Sequence, residues 1–290
     1  MTASAPAFET ILAPAQLQAL LDAGQDVLVL DCEFDLTDPN KGRATYREAH
    51  LPGARHIDLQ QDLSGPATGT NGRHPLPERE LFAATMRMVG LQPGQQVVAY
   101  DGSGGIYAAR LWWMLRWLGH APAAVLDGGR QAWVAAGLPL HAGDEPALPI
   151  GNFEAASSLV GEPVSAGDVE ANLETKAFQV IDARDASRFG GAAHPLDDVS
   201  GHIPGASNRS CRDNLDADGR FRDPAALCEA FVPALSGYEP RAAISQCGSG
   251  VTACHNILAM ELAGLKGPRL YPGSWSEWTA DPSRPVDRGA

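Results

Sequence analysis

The sequence predicts an α/β protein built from two copies of one domain, each a parallel sheet flanked by helices on both faces. Short apolar runs alternate with longer helical patterns, as in parallel α/β folds. Four motifs of the first half also recur in the second half. The chain of 290 residues is long enough for two domains. We place the first domain at residues 1–142, a linker rich in Gly, Pro and Ala at 143–163, and the second domain at 164–290.

The four repeated motifs keep their order and nearly constant spacing, which indicates a duplicated domain rather than a short-period solenoid. The pairs are Val27–Asp31 with Phe178–Asp182, His50–Ala54 with His202–Ala206, Tyr100–Gly105 with Gln246–Val251, and Leu126–Trp133 with Tyr271–Trp278. His50 and His202 occupy the same place in the two copies, so we interpret both as structural residues of a turn.

Each copy contains a predicted strand, a glycine-rich loop and a helix. In the first copy the strand is Val97–Tyr100, and the helix Ile106–Leu118 is apolar on most sides, so it should be well buried. In the second copy the strand is Ala242–Gln246 and the helix is Thr252–Leu262. In open parallel sheets ligands bind outside the carboxyl ends of the strands, which is where these loops fall.

Cys247 stands at the end of the second predicted strand, and Gly248-Ser249-Gly250 follows it. Backbone N–H groups of such a loop, together with the positive end of the next helix, favour the thiolate over the thiol. The motif therefore indicates a nucleophilic cysteine in an anion-binding loop. The competing interpretation is a buried structural cysteine. In the first copy Asp101 takes the place of Cys247, so only the second copy should carry the chemistry.

The net charge, the lengths of the apolar runs and the cysteine pattern argue against several classes of function. The formal net charge of −13 argues against nucleic acid or an anionic membrane as a main partner. No apolar run is long enough for a membrane span. The five cysteines show no metal-ligand spacing, and their odd number does not suggest a disulfide framework. We expect a cytoplasmic protein without metal or cofactor, in which Cys247 is the reactive cysteine and the other four are structural.

The chain resembles the tandem-domain sulfurtransferases of the rhodanese type over nearly its whole length. The resemblance rests on both His-x-Pro-Gly-Ala motifs, on the exchange of Asp for Cys in the first copy, and on the tail Gly273–Trp278. It implies two rhodanese-like domains, of which the second is catalytic. Within the family, the residues that follow the catalytic cysteine differ between enzymes that use mercaptopyruvate and enzymes that use thiosulfate as the sulfur donor. The residues after Cys247 resemble the mercaptopyruvate type, because the thiosulfate type usually has basic residues where this chain has Gly248 and Ser249.

The resemblance also implies which residues bind the substrate. The loop residues Gly248, Gly250, Val251 and Thr252 belong to the binding site. Arg188 is expected to bind the substrate carboxylate, and Arg184, four residues earlier, is a second candidate. For both arginines an ion pair with Asp182, Asp185 or another acid is the alternative. The family's second arginine, which precedes the second His-x-Pro-Gly motif, is absent from residues 194–200. That anchor is therefore missing or comes from elsewhere.

The implied reaction has two halves. The Cys247 thiolate takes sulfur from mercaptopyruvate and pyruvate leaves. A thiol acceptor such as a thioredoxin or a small thiol, or cyanide in an assay, then removes the sulfur from the persulfide. Ser249 is expected to relay a proton. In the family a histidine and an acid of the first domain extend this relay. His74 matches the histidine, and Asp62 is the nearest candidate acid.

Three other functions compete with this one. The first is sulfur transfer from thiosulfate to cyanide. The second is a phosphatase of related fold, but such enzymes need Cys-x5-Arg, and the sixth residue after Cys247 is Ala253. The third is a non-enzymatic module that binds partners or senses sulfur, which a loop that retains Cys247 disfavours.

Overall fold

The computed structural model describes residues 7–289 and contains two compact units. The first unit comprises the described residues up to Asp62, together with Glu78–Leu159 and Asp218–Arg220. The second unit comprises Leu63–Pro77, Val160–Ala217 and the described residues from Phe221 onward. No pattern in the sequence predicts that residues 63–77 pack with the second unit. The predicted domain ends at positions 1 and 290 lie outside the described residues.

The predicted alternation of strands and helices is confirmed. The strands are β1 Ile11–Leu12, β2 Val27–Asp31, β3 Arg55–His56, β4 Gln96–Tyr100, β5 Ala123–Leu126, β6 Gln179–Asp182, β7 Ser207–Asn208, β8 Ala243–Gln246 and β9 Arg269–Leu270. The helices are α1 Pro14–Asp22, α2 Lys41–Glu48, α3 Arg79–Met88, α4 Ile106–Trp117, α5 Gly129–Ala135, α6 Ala166–Thr175, α7 Ala186–Phe189, α8 Pro224–Leu235, α9 Thr252–Leu262 and α10 Ser274–Trp278. Two 3₁₀ turns cover Cys211–Asn214 and Pro240–Ala242. The second turn delays the start of β8 by one residue relative to the prediction.

Each unit has one parallel sheet with helices packed against it. In the first unit the strand order is β1-β5-β4-β2-β3, and in the second it is β7-β6-β8-β9. The strand before each glycine-rich loop, β4 or β8, lies inside its sheet and is buried. Because both faces of such a strand are covered, β4 is a nearly continuous apolar run, whereas β8 also contains the buried polar residues Ser245 and Gln246. The loops therefore begin at a rigid position.

The repeated motifs make the same contacts in both units. His50 Nδ1 lies 2.7 Å from the Tyr46 carbonyl oxygen, and His202 Nδ1 lies 2.8 Å from the Phe189 carbonyl oxygen. Each imidazole stacks on the ring of that same residue. These contacts agree with the structural interpretation of the two histidines. Equivalent indole N–H groups also donate to proline carbonyl oxygens, Trp133 to Pro139 and Trp278 to Pro285.

The stretch between α5 and α6 and the lengths of the helices can also be compared with the predictions. No helix or strand occurs between the end of α5 and the start of α6, a stretch that includes the linker placed at 143–163. Helix α6 begins where Ser165 and Asp168 form a capping box, which satisfies the first backbone N–H groups of the helix. Within residues 7–289, none of the helices has both the length and the apolar character needed to cross a membrane.

Candidate active site

The loop between β8 and α9 holds Cys247 in a buried position directly after the strand. The Cys247 side chain and backbone together are only 2% exposed. Its Sγ accepts a hydrogen bond of 3.1 Å from the Gly250 N–H. The Cys247 N–H donates to Ser274 Oγ at 3.1 Å, and its carbonyl oxygen accepts from the Trp275 N–H at 3.0 Å. The backbone on both sides of the sulfur is therefore fixed before any substrate binds.

Gly250 has the conformation and the close contact that require a glycine. Its φ is +77°, a value that residues with a Cβ atom adopt at a cost. A Cβ atom on Gly250 would lie 2.2 Å from the Pro272 carbonyl oxygen, which is far inside van der Waals contact. The loop can thus approach the segment before α10 only because position 250 has no side chain.

We expect Gly250→Ala to lower the free energy of unfolding by roughly 3 kcal/mol or more, because it adds a backbone clash to the cost of a positive φ. Urea unfolding of the variant measures this loss. Gly264→Ala is a matched control, since Gly264 has a φ of +79° and nothing within 4 Å of its Cβ position. The control should lose only about 1 kcal/mol. Equal losses in the two variants would contradict the close approach of the loop to Pro272.

Ser249 and His74 form a buried hydrogen-bonded pair beside Cys247. Ser249 Oγ lies 2.9 Å from His74 Nδ1, and the two residues are 8% and 4% exposed. Both belong to the second unit, although His74 comes from the early part of the chain. The segment is held there by close backbone contact, because a Cβ atom on Gly72 would lie 2.8 Å from the Gly273 carbonyl oxygen. The structure thus brings together two of the predicted relay residues.

Two guanidinium groups border the loop at Gly248. A Cβ atom on Gly248 would lie 2.9 Å from Arg73 Nη2 and 3.2 Å from Arg188 Nη2. Glycine at position 248 therefore leaves room for both cations next to Cys247. Burial lowers the pKa of Arg73 from its ordinary value, and the charges of Asp197 and Cys247 oppose that shift. A cluster of this kind suits a carboxylate or another small anion.

Arg73 is a candidate site residue that the sequence analysis did not assign. It precedes His74 in the segment that packs with the second unit, and its N–H donates to Ser276 Oγ at 3.0 Å. Its guanidinium donates to the Leu196 carbonyl oxygen. The only sequence signal was its position next to His74. Arg73 is therefore a candidate for the second arginine that residues 194–200 lack.

The proposed substrate-binding role of Arg184 does not agree with its surroundings. Its guanidinium donates to both carboxylate oxygens of Asp182 and to the Gly201 carbonyl oxygen, at 2.6 to 3.1 Å. The side chain is 1% exposed and lies over the Trp275 ring, with 4.6 Å from Cζ to the ring centroid. The ion pair with an acid, which was the alternative for both predicted arginines, is observed for Arg184 with Asp182 and for Arg188 with Asp197. A buried cation with the partners of Arg184 is a structural group.

The remaining predicted site residues are Val251 and Thr252, which follow the Cys247 loop in sequence, and Asp62. Val251 is 5% exposed, and Thr252 is the first residue of α9. Asp62 belongs to the first unit, where its carboxylate accepts a hydrogen bond of 2.7 Å from the Asp58 N–H. Burial raises the pKa of Asp62 from its ordinary value. Its part in a proton relay stays a prediction.

The corresponding loop of the first unit shows what a loop of this kind can bind. Asp101 follows β4, and its Oδ1 accepts hydrogen bonds of 2.8 Å from the Ser103 and Gly105 N–H groups. Its Oδ2 accepts from the Tyr107 and Ala108 N–H groups at 2.8 and 3.0 Å. One carboxylate thus takes four backbone donors at the N-terminus of α4. In this unit the anion is part of the chain itself, and the absence of catalysis in the first copy stays a prediction.

Among the described residues, the other cysteines form no disulfide, and Cys32, Cys211 and Cys254 lie in settings that disfavour nucleophilic attack. Cys32, Cys211 and Cys254 are buried, and Cys228 is half-buried. Burial raises the pKa of Cys32 well above its ordinary range and that of Cys211 to about 12. Cys254 donates from Sγ to the Gly250 carbonyl oxygen at 3.3 Å. A neutral, buried thiol is a poor nucleophile.

Comparison with known proteins shows the family to which this chain belongs. The model of the rhodanese-like domain matches residues 13–136 and 165–281. A probable 3-mercaptopyruvate sulfurtransferase of Pseudomonas aeruginosa is 46% identical over 283 residues, which is 96% of this chain and 98% of that protein. A putative thiosulfate sulfurtransferase of Mycobacterium tuberculosis is 35% identical over 290 residues, 97% of this chain and 98% of that protein. The structure of 3-mercaptopyruvate sulfurtransferase from Leishmania major superposes with a TM-score of 0.82 at 30% identity, covering 93% of this chain and 74% of that one.

Proposed function

This chain belongs to the rhodanese-like domain family, and from that premise we propose that it is a sulfurtransferase that moves sulfur from 3-mercaptopyruvate through a persulfide on Cys247 to a thiol. The observation that carries the proposal is the position of Cys247. Its sulfur accepts a hydrogen bond from the Gly250 N–H in the loop that precedes α9, and the same loop carries the Ser249–His74 pair and is bordered at Gly248 by two arginines. The names of the Pseudomonas and Leishmania relatives support the choice of donor.

In the first half-reaction the Cys247 thiolate attacks the sulfur of mercaptopyruvate. The new S–S bond forms as the C–S bond breaks, and the electron pair of the C–S bond passes to the leaving pyruvate enolate. The enolate takes up a proton and becomes pyruvate, while the persulfide stays on Cys247 as an anion. The Gly250 N–H already donates to Sγ. In the first unit four N–H groups of the matching loop bind the Asp101 carboxylate, which supports an anion-binding role for this loop.

Arg73 and Arg188 are suited to hold the substrate carboxylate, since both Nη2 atoms border Gly248. Two cations next to the nucleophile orient the three-carbon donor with its sulfur toward Cys247. Such positioning converts a bimolecular encounter into a reaction between prealigned groups.

Ser249 and His74 are suited to move the proton. With His74 Nδ1 as the acceptor, the Ser249 O–H donates across the 2.9 Å contact and its oxygen is free to take a proton from the substrate thiol. The same pair then returns that proton to the enolate carbon. The proton thus passes from sulfur to carbon, and the net charge of the relay is unchanged at the end.

In the second half-reaction a thiolate acceptor attacks the outer sulfur of the persulfide, and the Cys247 thiolate leaves. A small thiol or a thioredoxin supplies such a thiolate, and cyanide would take the same sulfur in an assay. The family premise supports a thiol or cyanide as acceptor. That a thioredoxin can serve as the acceptor is the more specific part of this proposal.

Thiosulfate is the second candidate donor, because the relative from Mycobacterium tuberculosis carries that name. The two arginines at Gly248 would also attract a dianion. Steady-state kinetics with both donors on one preparation tests the proposal. We expect a higher kcat/KM for mercaptopyruvate. A higher kcat/KM for thiosulfate would replace this donor with the alternative, and turnover of neither donor would overturn the proposed function.

We expect Ser249→Ala to lower kcat for mercaptopyruvate by about a hundredfold, because it removes the hydroxyl group that we propose transfers the proton. Thiosulfate serves as the internal control in the same assay. Sulfite leaves thiosulfate without needing a proton, so kcat for thiosulfate should change little. An equal loss of kcat with both donors would show that Ser249 shapes the loop rather than moving a proton.

A further inference from the structure

The Asp197 carboxylate lies against the two arginines that border the Cys247 loop. Arg188 Nε and Nη2 donate to its two oxygens at 2.9 and 2.8 Å, and Arg73 Nη2 lies 3.9 Å from Oδ1. The Asp197 side chain is 3% exposed, whereas those of Arg188 and Arg73 are 15% and 34% exposed. A nearly buried anion therefore pairs with the inner sides of two partly exposed cations.

The charge of this cluster follows from its pairings. Arg184 also approaches Asp197, with Nη1 at 3.6 Å from Oδ2, but its charge is balanced by the fully buried Asp182. Arg73, Arg188 and Asp197 then carry one net positive charge between them. Without Asp197 the same two arginines would carry two positive charges at Gly248.

The two candidate donors differ by one unit of charge. Mercaptopyruvate has a single carboxylate and is a monoanion when its thiol is protonated, whereas thiosulfate is a dianion. Interactions between charges in a partly buried site are weakly screened, so one unit of charge changes affinity measurably. Removal of the Asp197 charge would add one unit of positive charge beside Cys247, and that added charge would attract the dianion more strongly than the monoanion.

We propose that Asp197 sets the donor preference by limiting the positive charge beside Cys247, so that the site favours a monoanionic over a dianionic sulfur donor. The inference rests on the proposed sulfurtransferase function and adds a specificity-determining residue to it. Asp197 does not touch the reacting atoms. It acts through the charges of Arg73 and Arg188, and its hydrogen bonds also orient the Arg188 guanidinium group.

The test compares kcat/KM for mercaptopyruvate and thiosulfate in wild type and in Asp197→Asn, which keeps the size of the side chain and removes its charge. We expect the ratio of the two values, mercaptopyruvate over thiosulfate, to fall about tenfold, mainly through a lower KM for thiosulfate. Asp197→Glu keeps the charge and should keep the ratio within about twofold of wild type. An equal change for both donors in Asp197→Asn would overturn the proposal, because it would indicate orientation of the arginines alone.

Asp198→Asn is the matched control, since Asp198 is the exposed neighbour and its replacement removes the same charge. It should leave the ratio within about twofold of wild type. A tenfold fall with Asp198→Asn would overturn the assignment to Asp197.

Inhibition of the wild type provides a measurement that does not depend on any variant folding. Pyruvate, a monoanion, should inhibit turnover at a lower concentration than sulfate, a dianion. Tighter inhibition by sulfate would overturn the proposal. Wild-type turnover is measured in the same assays, and its absence would count against the sulfurtransferase function itself rather than against the role of Asp197.

Discussion

Replacement of Cys247 by serine is expected to lower sulfur transfer by about a thousandfold or more, with mercaptopyruvate and with thiosulfate alike. A hydroxyl group is not ionised near neutral pH and forms no persulfide, so the loop would bind a donor without accepting its sulfur. Initial rates of pyruvate and sulfite release measure the loss.

Cys254→Ser is the control for this variant. Cys254 lies on the same helix and donates to the Gly250 carbonyl oxygen, a contact that a serine hydroxyl can also make. It should keep turnover within a few-fold of wild type. Retained turnover in Cys247→Ser would contradict the mechanism directly.

The second large effect is expected at the two arginines. Arg73→Ala and Arg188→Ala should each raise KM for mercaptopyruvate roughly tenfold to a hundredfold, because a charge-assisted hydrogen bond contributes about 1.5–3 kcal/mol. The carboxylate lies away from the breaking C–S bond, so its charge changes little in the transition state. Ground state and transition state then lose similar binding energy, and kcat should change less than KM.

Arg212→Ala is the matched control for the arginine variants. Arg212 belongs to the same unit, and its side chain is 75% exposed in an ion pair with Asp185. A surface pair of this kind contributes little, so KM should stay within about twofold of wild type. If Arg73→Ala leaves KM unchanged while Arg188→Ala raises it, Arg188 alone binds the carboxylate.

The sequence was sufficient to predict the strand, loop and helix around Cys247, because their signals are local. An apolar run, two glycines and a helical pattern occupy adjacent positions, and the copy at Asp101 repeats them. Helix α9 covers Thr252–Leu262 as predicted, and β4 and α4 differ from prediction by one residue at one end. Buried parallel strands and their helices are the elements whose patterns are strongest.

The partners of the charged side chains could not be predicted in this way. Arg73 and Ser249 are separated by more than 170 residues of sequence, yet residues 63–77 pack with the unit that contains Ser249. The choice of Arg184 for Asp182, and of Arg188 for Asp197, depends on burial and on directions that appear only after folding. Sequence spacing gives the positions of charges along the chain, whereas ion pairs depend on distances across it.

The most direct test of the account is the mass of the protein after one equivalent of mercaptopyruvate, without any acceptor. We predict the release of about one equivalent of pyruvate and a gain of one sulfur atom, roughly 32 Da, on the peptide that contains Cys247. Subsequent addition of a thiol should remove that sulfur and restore the original mass. Pyruvate release without a gain in mass, or sulfur on Cys211 or Cys254 instead of Cys247, would contradict the account.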